Sequence, residues 1–186
     1  MSDPPPDDER DRFEALWSAS YPKILAYARR RFSEEDARDV AADTFLVAWR
    51  RRADLPADDP VPWLYGVARR VASDRRRAAA RRSRLTQRLD SQRPAEVGAP
   101  PDPEETRLLE ALAMLGERDR EALLLTGWED LTPAQAAQAL GCSQPAFRVR
   151  LHRARRRLRA LLAADARALP GAAGRRTPHA PGGEPQ

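Results

Sequence analysis

Arginine side chains dominate one stretch near the end of the chain, and they are the residues best suited to chemistry. From Gln144 to Leu162, apolar residues recur at steps of three and four, so they share one face of a helix. The rest of that helix carries the polar candidates: Gln144, Arg148, Arg150, His152 and Arg153. An arginine fork can pair with O6 and N7 of guanine or hold a phosphate. The pattern predicts a DNA-binding helix, with a solvated basic helix face as the alternative.

The segment just before this helix has the signals needed to position it. Thr132 and Gln135 have the spacing of a capping box, and Pro133 falls at the first helical position, where its missing N–H costs nothing. Gly141 can take the left-handed conformation that ends a helix, and Ser143 can cap the next one. A short helix, a tight turn and an arginine-rich helix together predict a helix-turn-helix whose second helix enters a major groove.

The charge balance also indicates a polyanionic partner. Lysine and arginine number 33 against 28 aspartate and glutamate residues, for a net charge of +5. Residues 64–89 hold nine arginines and one aspartate, whereas residues 102–130 hold nine acids and three arginines. Two basic segments therefore flank an acidic one.

Other classes of protein are disfavoured by what the composition lacks. One cysteine and two histidines exclude an intramolecular disulfide and argue against a zinc site, and no glycine-rich phosphate loop is present. No apolar run approaches about 18 residues, and the first residues are acidic and proline-rich rather than a signal peptide. We expect a cytoplasmic protein with no membrane insertion, no cofactor and no enzymatic activity.

The order of helical and proline-rich segments predicts an all-α fold made of two small domains. The predicted parts are a disordered acidic leader (1–12), a first helical domain (13–86), a flexible linker (87–102), a second domain with the helix-turn-helix (103–163) and a disordered tail (164–186). Pro22 predicts a kink or break, residues 54–62 predict a loop, and Gly116 is expected to end the first helix of the second domain. Four helices are expected before the linker and about four after it, with a variable placement of the two domains.

Two motifs in the same order resemble a known family. The acidic amphipathic helix of residues 36–49, followed by residues 63–74 and a basic run, is similar to region 2 of the extracytoplasmic-function group of bacterial RNA polymerase sigma factors. Residues 109–162 are similar to region 4 of that group. The resemblance implies three partners: core RNA polymerase, promoter DNA and an anti-sigma factor.

The resemblance also implies roles for individual residues. It assigns polymerase binding to Asp36, Asp39, Asp43, Phe45 and Trp49, although the two aromatic residues would equally serve as core anchors and the acids as a solvated helix start. It assigns the minus-10 promoter element to Trp63, Tyr65, Arg69, Arg70, Asp74, Arg76 and Arg77, with packing rather than base stacking as the alternative for Trp63. It assigns the minus-35 element to Gln144, Arg148, Arg150, His152 and Arg153.

A few positions depart from the family pattern. Family members commonly have Gln, Asn and Pro where this chain has Ala42, Arg70 and Gly116. The resemblance implies that the Arg70 position lies near the surface that opens promoter DNA, so the change there leaves promoter sequence and melting open. The competing interpretation is a helix-turn-helix regulator that does not join the polymerase. The chain retains the acidic helix, the proline-rich loop and the aromatic-basic helix. Their presence argues for the sigma factor instead.

Overall fold

The computed structural model describes residues 7–86 and 102–168, and every regular element in these two ranges is helical. The predicted all-α fold is confirmed for this part of the chain. The elements are α1 (Asp7–Arg29), α2 (Glu34–Arg50), a 3-10 turn (Arg52–Asp54), α3 (Val61–Thr86), α4 (Pro103–Ala113), α5 (Glu117–Gly127), α6 (Pro133–Leu140) and α7 (Gln144–Ala168).

The first domain consists of α1, α2 and α3, each of which packs against the other two. Ser33 begins α2, because its Oγ accepts a hydrogen bond from the backbone N–H of Asp36 at 3.3 Å. Ile24, Phe45 and Leu64, one from each helix, are buried together in the core. Each helix therefore contributes one apolar stripe to a common centre and turns its charged face outward.

The second domain consists of α4 to α7, with α7 packed on the other three helices. Asp102 caps α4, as its Oδ1 accepts from the Glu104 N–H at 3.0 Å. The capping box of Thr132 and Gln135 is complete, and Gly141 has the predicted left-handed conformation with φ of 65°. These local signals place the helix-turn-helix where the sequence predicts it.

Helices extend into both of the ends that the sequence predicts to be disordered. Helix α1 begins at Asp7, so the prediction is wrong for residues 7–12, where acidic side chains favour a helix start and Glu9 forms an ion pair with Arg52 at 2.9 Å. Helix α7 continues to Ala168, so the tail prediction is wrong for residues 164–168, where Asp165 pairs with Arg107 at 2.6 Å. The rest of the leader, linker and tail predictions falls outside the described residues.

Two predicted breaks also differ from the structure. Helix α1 runs through Pro22 without interruption, so the described first domain has three α-helices and a 3-10 turn rather than four helices. Pro22 is exposed, so the carbonyl that loses its partner can be hydrated. Gly116 does not end α4, which stops at Ala113; it is the N-cap of α5 instead.

The two domains are in direct contact in this structure, and the variable placement expected for them stays a prediction. Helix α3 packs against α6, and one continuous cluster of buried residues includes Leu64 and Tyr65 of the first domain and Ala136, Ala139 and others of the second. The helices come so close at Gly66 that a Cβ there would lie 3.1 Å from the carbonyl oxygen of Ala139. Glycine permits this approach because it carries no side chain.

Candidate nucleic-acid interface

The second helix of the helix-turn-helix presents a row of exposed cations. Buried Phe147, Leu151 and Ala154 fix one face of α7 against the domain core. Four of the five residues predicted to read DNA lie on the exposed side: Gln144, Arg148, His152 and Arg153. Arg150 is only half-exposed, with its guanidinium 3.9 Å from Cys142 Sγ at the turn. This face is complementary in charge to a DNA major groove.

The seven candidates on α3 fall into two groups. Arg70, Asp74 and Arg77 are exposed, and Arg77 forms an ion pair with Asp74. The other four face protein rather than solvent: Trp63, Tyr65, Arg69 and Arg76. The first group is available to a ligand in this arrangement, and the second is covered in whole or in part.

Each covered candidate has an identifiable protein neighbour. Trp63 is half-buried, with the Arg51 guanidinium 5.7 Å from its ring centroid, which agrees with the packing alternative. Tyr65 is 2% exposed. Arg76 contacts Glu117 of the second domain at 3.4 Å. Arg69 lies with Arg150 in a cavity of about 210 Å³ between the domains.

The three predicted polymerase-binding acids form one stripe on α2 that meets a single arginine of α3. Arg75 lies 3.8 Å from Asp36, 3.1 Å from Asp39 and 2.8 Å from Asp43. Hydrogen bonds to Asp43 and Asp39 raise the pKa of the Arg75 guanidinium. Because one cation faces three carboxylates, the stripe keeps a negative charge toward solvent.

The two aromatic residues predicted beside these acids belong to the packing of the domain. Phe45 is buried, and its ring meets Phe13 with a centroid separation of 6.5 Å. Trp49 is half-buried, 4.9 Å from Phe13, with the Arg52 guanidinium 5.1 Å from its ring. Both side chains therefore have the surroundings expected of core anchors, which is the alternative to polymerase binding.

A buried polar cluster joins the two domains, and no sequence pattern predicts it. Tyr27 donates a hydrogen bond to Glu121 at 2.8 Å, and Arg31 contacts both oxygens of that carboxylate at 3.2 Å. Arg30 pairs with Glu129, and Arg31 lies 3.6 Å from the same carboxylate. We call these five residues the interdomain cluster. Tyr65 adds a hydroxyl 3.5 Å from Glu129.

Burial gives this cluster its electrostatic character. The side chains of Glu129, Arg31 and Glu121 are 2%, 5% and 7% exposed. Desolvation raises the pKa of Glu129, although the neighbouring Arg30 and Arg31 oppose that shift. Burial and the nearby carboxylates also raise the pKa of the Tyr27 and Tyr65 hydroxyls. Both phenols therefore act as neutral donors to carboxylates.

The described residues contain little that resembles a small-molecule or metal centre. Across residues 7–86 and 102–168, no group of three or more His, Cys, Asp or Glu side chains is placed to hold a metal ion. A cavity of about 510 Å³ lies at the domain junction, lined by residues that include Lys23, Arg30, Tyr65, Trp128 and Gln135. None of the described helices has both the length and the apolar composition needed to cross a bilayer.

Comparison with known families matches both halves of the chain. The family profile of sigma-70 region 2 matches residues 16–82, and that of sigma-70 region 4 matches residues 105–158. The first match covers most of α1, all of α2 and most of α3. The second covers most of α4, all of α5 and α6, and more than half of α7.

Two relatives match over most of their own length. The chain is 32% identical to the RNA polymerase sigma factor NccH of Alcaligenes xylosoxydans xylosoxydans over 75% of this chain and 81% of that protein. It is 31% identical to the RNA polymerase sigma factor CarQ of Myxococcus xanthus over 84% of this chain and 92% of that protein.

Solved structures show the same similarity in three dimensions. The sigma factor RpoE of Bartonella quintana, in complex with the anti-sigma factor NepR, has a TM-score of 0.62 and 26% identity, over 83% of this chain and 98% of that one. CnrH in complex with the cytosolic domain of CnrY has a TM-score of 0.61 and 31% identity, over 84% of this chain and 90% of that one.

Proposed function

Since the chain belongs to the sigma-70 family of RNA polymerase sigma factors, we propose that it binds core RNA polymerase and directs transcription initiation at its own set of promoters. The observation that carries this proposal is the complete helix-turn-helix with an exposed arginine face, on the same chain as the acidic stripe of α2. DNA binding alone accounts for the first feature and not for the second.

The minus-35 element is proposed to bind the first turns of α7. Arg148 is the best placed of the five candidates to reach a base edge, because it is exposed near the helix start. Gln144, Arg150, His152 and Arg153 would complete this contact. The later cations Arg155, Arg156, Arg157 and Arg159 are also exposed and suit phosphate oxygens.

The minus-10 element is proposed to bind α3. Arg70, Asp74 and Arg77 are exposed and can meet DNA in the arrangement described. Trp63, Tyr65, Arg69 and Arg76 are covered to different degrees, so their contribution to holding a displaced strand requires a change in their surroundings.

Core RNA polymerase is proposed to bind the acidic stripe of Asp36, Asp39 and Asp43. Their side chains are about half exposed and carry more negative charge than Arg75 neutralises, which suits a basic docking surface. Phe45 and Trp49 contribute to the same surface by fixing α2 against α1.

We also propose an anti-sigma factor as a regulatory partner and the cytoplasm as the place of action. One solved structure similar to this chain shows a sigma factor in complex with an anti-sigma factor, and a second shows CnrH in complex with the cytosolic domain of CnrY. Promoter DNA and polymerase would be met in the cytoplasm.

The test is run-off transcription with the purified chain, sigma-free core polymerase and fragments of the genome of origin. We expect discrete transcripts that require the chain, and their start sites will reveal the promoter sequence. Arg148→Ala should abolish or redistribute these transcripts, whereas the matched control Arg38→Ala, at an exposed arginine paired with Glu34, should leave them unchanged. DNA binding without binding to core polymerase would refute the proposal in favour of a plain regulator.

A further inference from the structure

Three arginines from three different helices line one small cavity at the turn of the helix-turn-helix. Arg69 of α3, Arg118 of α5 and Arg150 of α7 surround a space of about 210 Å³, and residues 140–142 form the rest of its wall. We call this space the arginine cavity. Among the described residues, no acid lines it. Three like charges around a confined space repel one another, so the cavity favours the entry of an anion.

The acids that flank Arg118 in the sequence have other neighbours. Glu117 contacts Arg76 at 3.4 Å, and Asp119 lines a different cavity beside Arg153. Across the part of the chain that the structure describes, none of the three cavity arginines forms an ion pair. The positive charge of the arginine cavity is therefore available to an external partner.

The hydrogen-bond donors of the cavity are also incompletely used. The Nε–H of Arg69 is buried and has no hydrogen-bond partner among the described residues. Within the same residues, the guanidinium of Arg150 has one hydrogen bond, to the Cys142 thiol at 3.9 Å, and a thiol is a weak acceptor. A buried donor without a partner costs its full desolvation free energy. Both groups would therefore gain from a strong acceptor in the cavity.

We propose that the arginine cavity is an anion-binding site, and that its ligand is the phosphoryl group of a small molecule. A terminal phosphoryl group offers three acceptor oxygens and close to two negative charges at about pH 7. Guanidinium forks match these oxygens in geometry and charge, and a carboxylate has fewer oxygens and less charge to share among three forks. A space of about 210 Å³ is several times the roughly 30 Å³ that one water occupies in the liquid, so it admits a group of this size.

The backbone of DNA is the other source of phosphoryl oxygens, and the shape of the site favours the small molecule. A backbone phosphate lies on the outside of a duplex, where it meets exposed side chains such as Arg155 and Arg156 of α7. The Nε–H of Arg69 is buried instead, at a cavity enclosed by three helices. A free phosphate can enter such a space, and it does so whether or not the chain joins RNA polymerase.

Titration calorimetry of the full-length chain with inorganic phosphate, without DNA and at constant ionic strength, tests the proposal. We expect saturable binding of one phosphate per chain and no such binding of chloride. Arg118→Gln should raise the Kd at least about tenfold, because it removes one charge-assisted contact. Arg50→Gln, at an exposed arginine of α2 outside the cavity, is the matched control and should leave the Kd unchanged. Absence of saturable binding, or equal Kd values for Arg118→Gln and the unaltered chain, would overturn the proposal.

The single cysteine of the chain provides a reporter inside the cavity. Cys142 is half-buried and lines the arginine cavity. Its rate of alkylation by iodoacetamide, a neutral reagent, should fall several-fold at saturating phosphate in the unaltered chain and stay constant in Arg118→Gln. If phosphate binds without changing the rate in the unaltered chain, it occupies another site and the proposal is wrong.

Binding to a DNA duplex distinguishes the two sources of the phosphoryl group. Arg118 is exposed and is not among the residues proposed to contact either promoter element, so Arg118→Gln should retain its helical circular dichroism and its affinity for a duplex. Loss of duplex binding in this variant would assign the cavity to the DNA backbone and overturn the proposal. The phosphate titration uses neither polymerase nor promoter DNA, so a failure of the proposed function would leave its outcome unaffected.

Discussion

Replacing Tyr27 with phenylalanine removes one hydroxyl from the interdomain cluster and leaves the ring in place. This hydroxyl donates to Glu121 at 2.8 Å in fully buried surroundings. A hydrogen bond to a charged group contributes about 1.5 to 3 kcal/mol. Since Arg31 still contacts both oxygens of Glu121, we expect the lower end, about 1.5 kcal/mol, and a fall in Tm of about 3 to 6 °C.

A double-mutant cycle in the full-length chain measures this contact directly. Thermal unfolding of Tyr27→Phe, Glu121→Gln and the combined variant should give a coupling free energy of about 1 kcal/mol. Tyr21→Phe is the matched control, because Tyr21 lies in the same helix but packs against Trp17 and Phe45 instead. A coupling within about 0.5 kcal/mol of zero would refute the claim that this hydrogen bond joins the two domains.

The DNA-facing helix, its turn and the buried tyrosines give further measurable outcomes. Arg148→Ala should cost about 1 to 3 kcal/mol in DNA binding and relax sequence preference at one position, as measured with a set of single-base promoter variants. If about six phosphates are neutralised, the slope of log K against log salt concentration is expected to be roughly −5. Arg156→Ala should weaken binding to all sequences alike and make that slope shallower by about 1. Gly141→Ala should lower the unfolding free energy by about 1 to 2 kcal/mol, because the φ of 65° is unfavourable for a residue with a Cβ. Since the pKa values of Tyr27 and Tyr65 are raised in the folded chain, their contribution to stability is present below about pH 10 and is lost as the pH rises further. Phenolate absorbance during an alkaline titration should show that Tyr27 and Tyr65 ionise only as the chain unfolds. Ionisation of all three tyrosines near pH 10 in the folded chain would contradict this.

Features that depend on neighbouring residues were predictable from the sequence. The capping box at Thr132 and the left-handed Gly141 are local, since each depends on backbone groups within one helical turn. The exposed arginine face of α7 followed from helical periodicity. The acidic stripe was also visible, but its contact with Arg75, more than thirty positions away, was not.

The interdomain cluster shows why the remaining features escaped prediction. Arg31 and Glu121 are 90 positions apart, and each alone has the pattern of a solvated charge. The available signal was modest: three consecutive arginines begin at Arg29, the last residue of α1, and Glu121 lies directly beside the apolar residues of α5. At Pro22 the local signal was present but misleading, since a proline predicts a break and α1 continues through it. Its neighbours Tyr21 and Ile24 pack in the core, and this packing outweighs the loss of one backbone hydrogen bond.

The glycine at position 66 lets the two domains share one core. Its Cα faces the carbonyl of Ala139, and the cluster of buried residues is continuous from Leu64 of α3 to Ala139 of α6. Heat or denaturant should therefore unfold both domains in one cooperative transition. A bulkier side chain at this position should split that transition in two, so the size of one residue would decide whether the chain unfolds as a single cooperative unit.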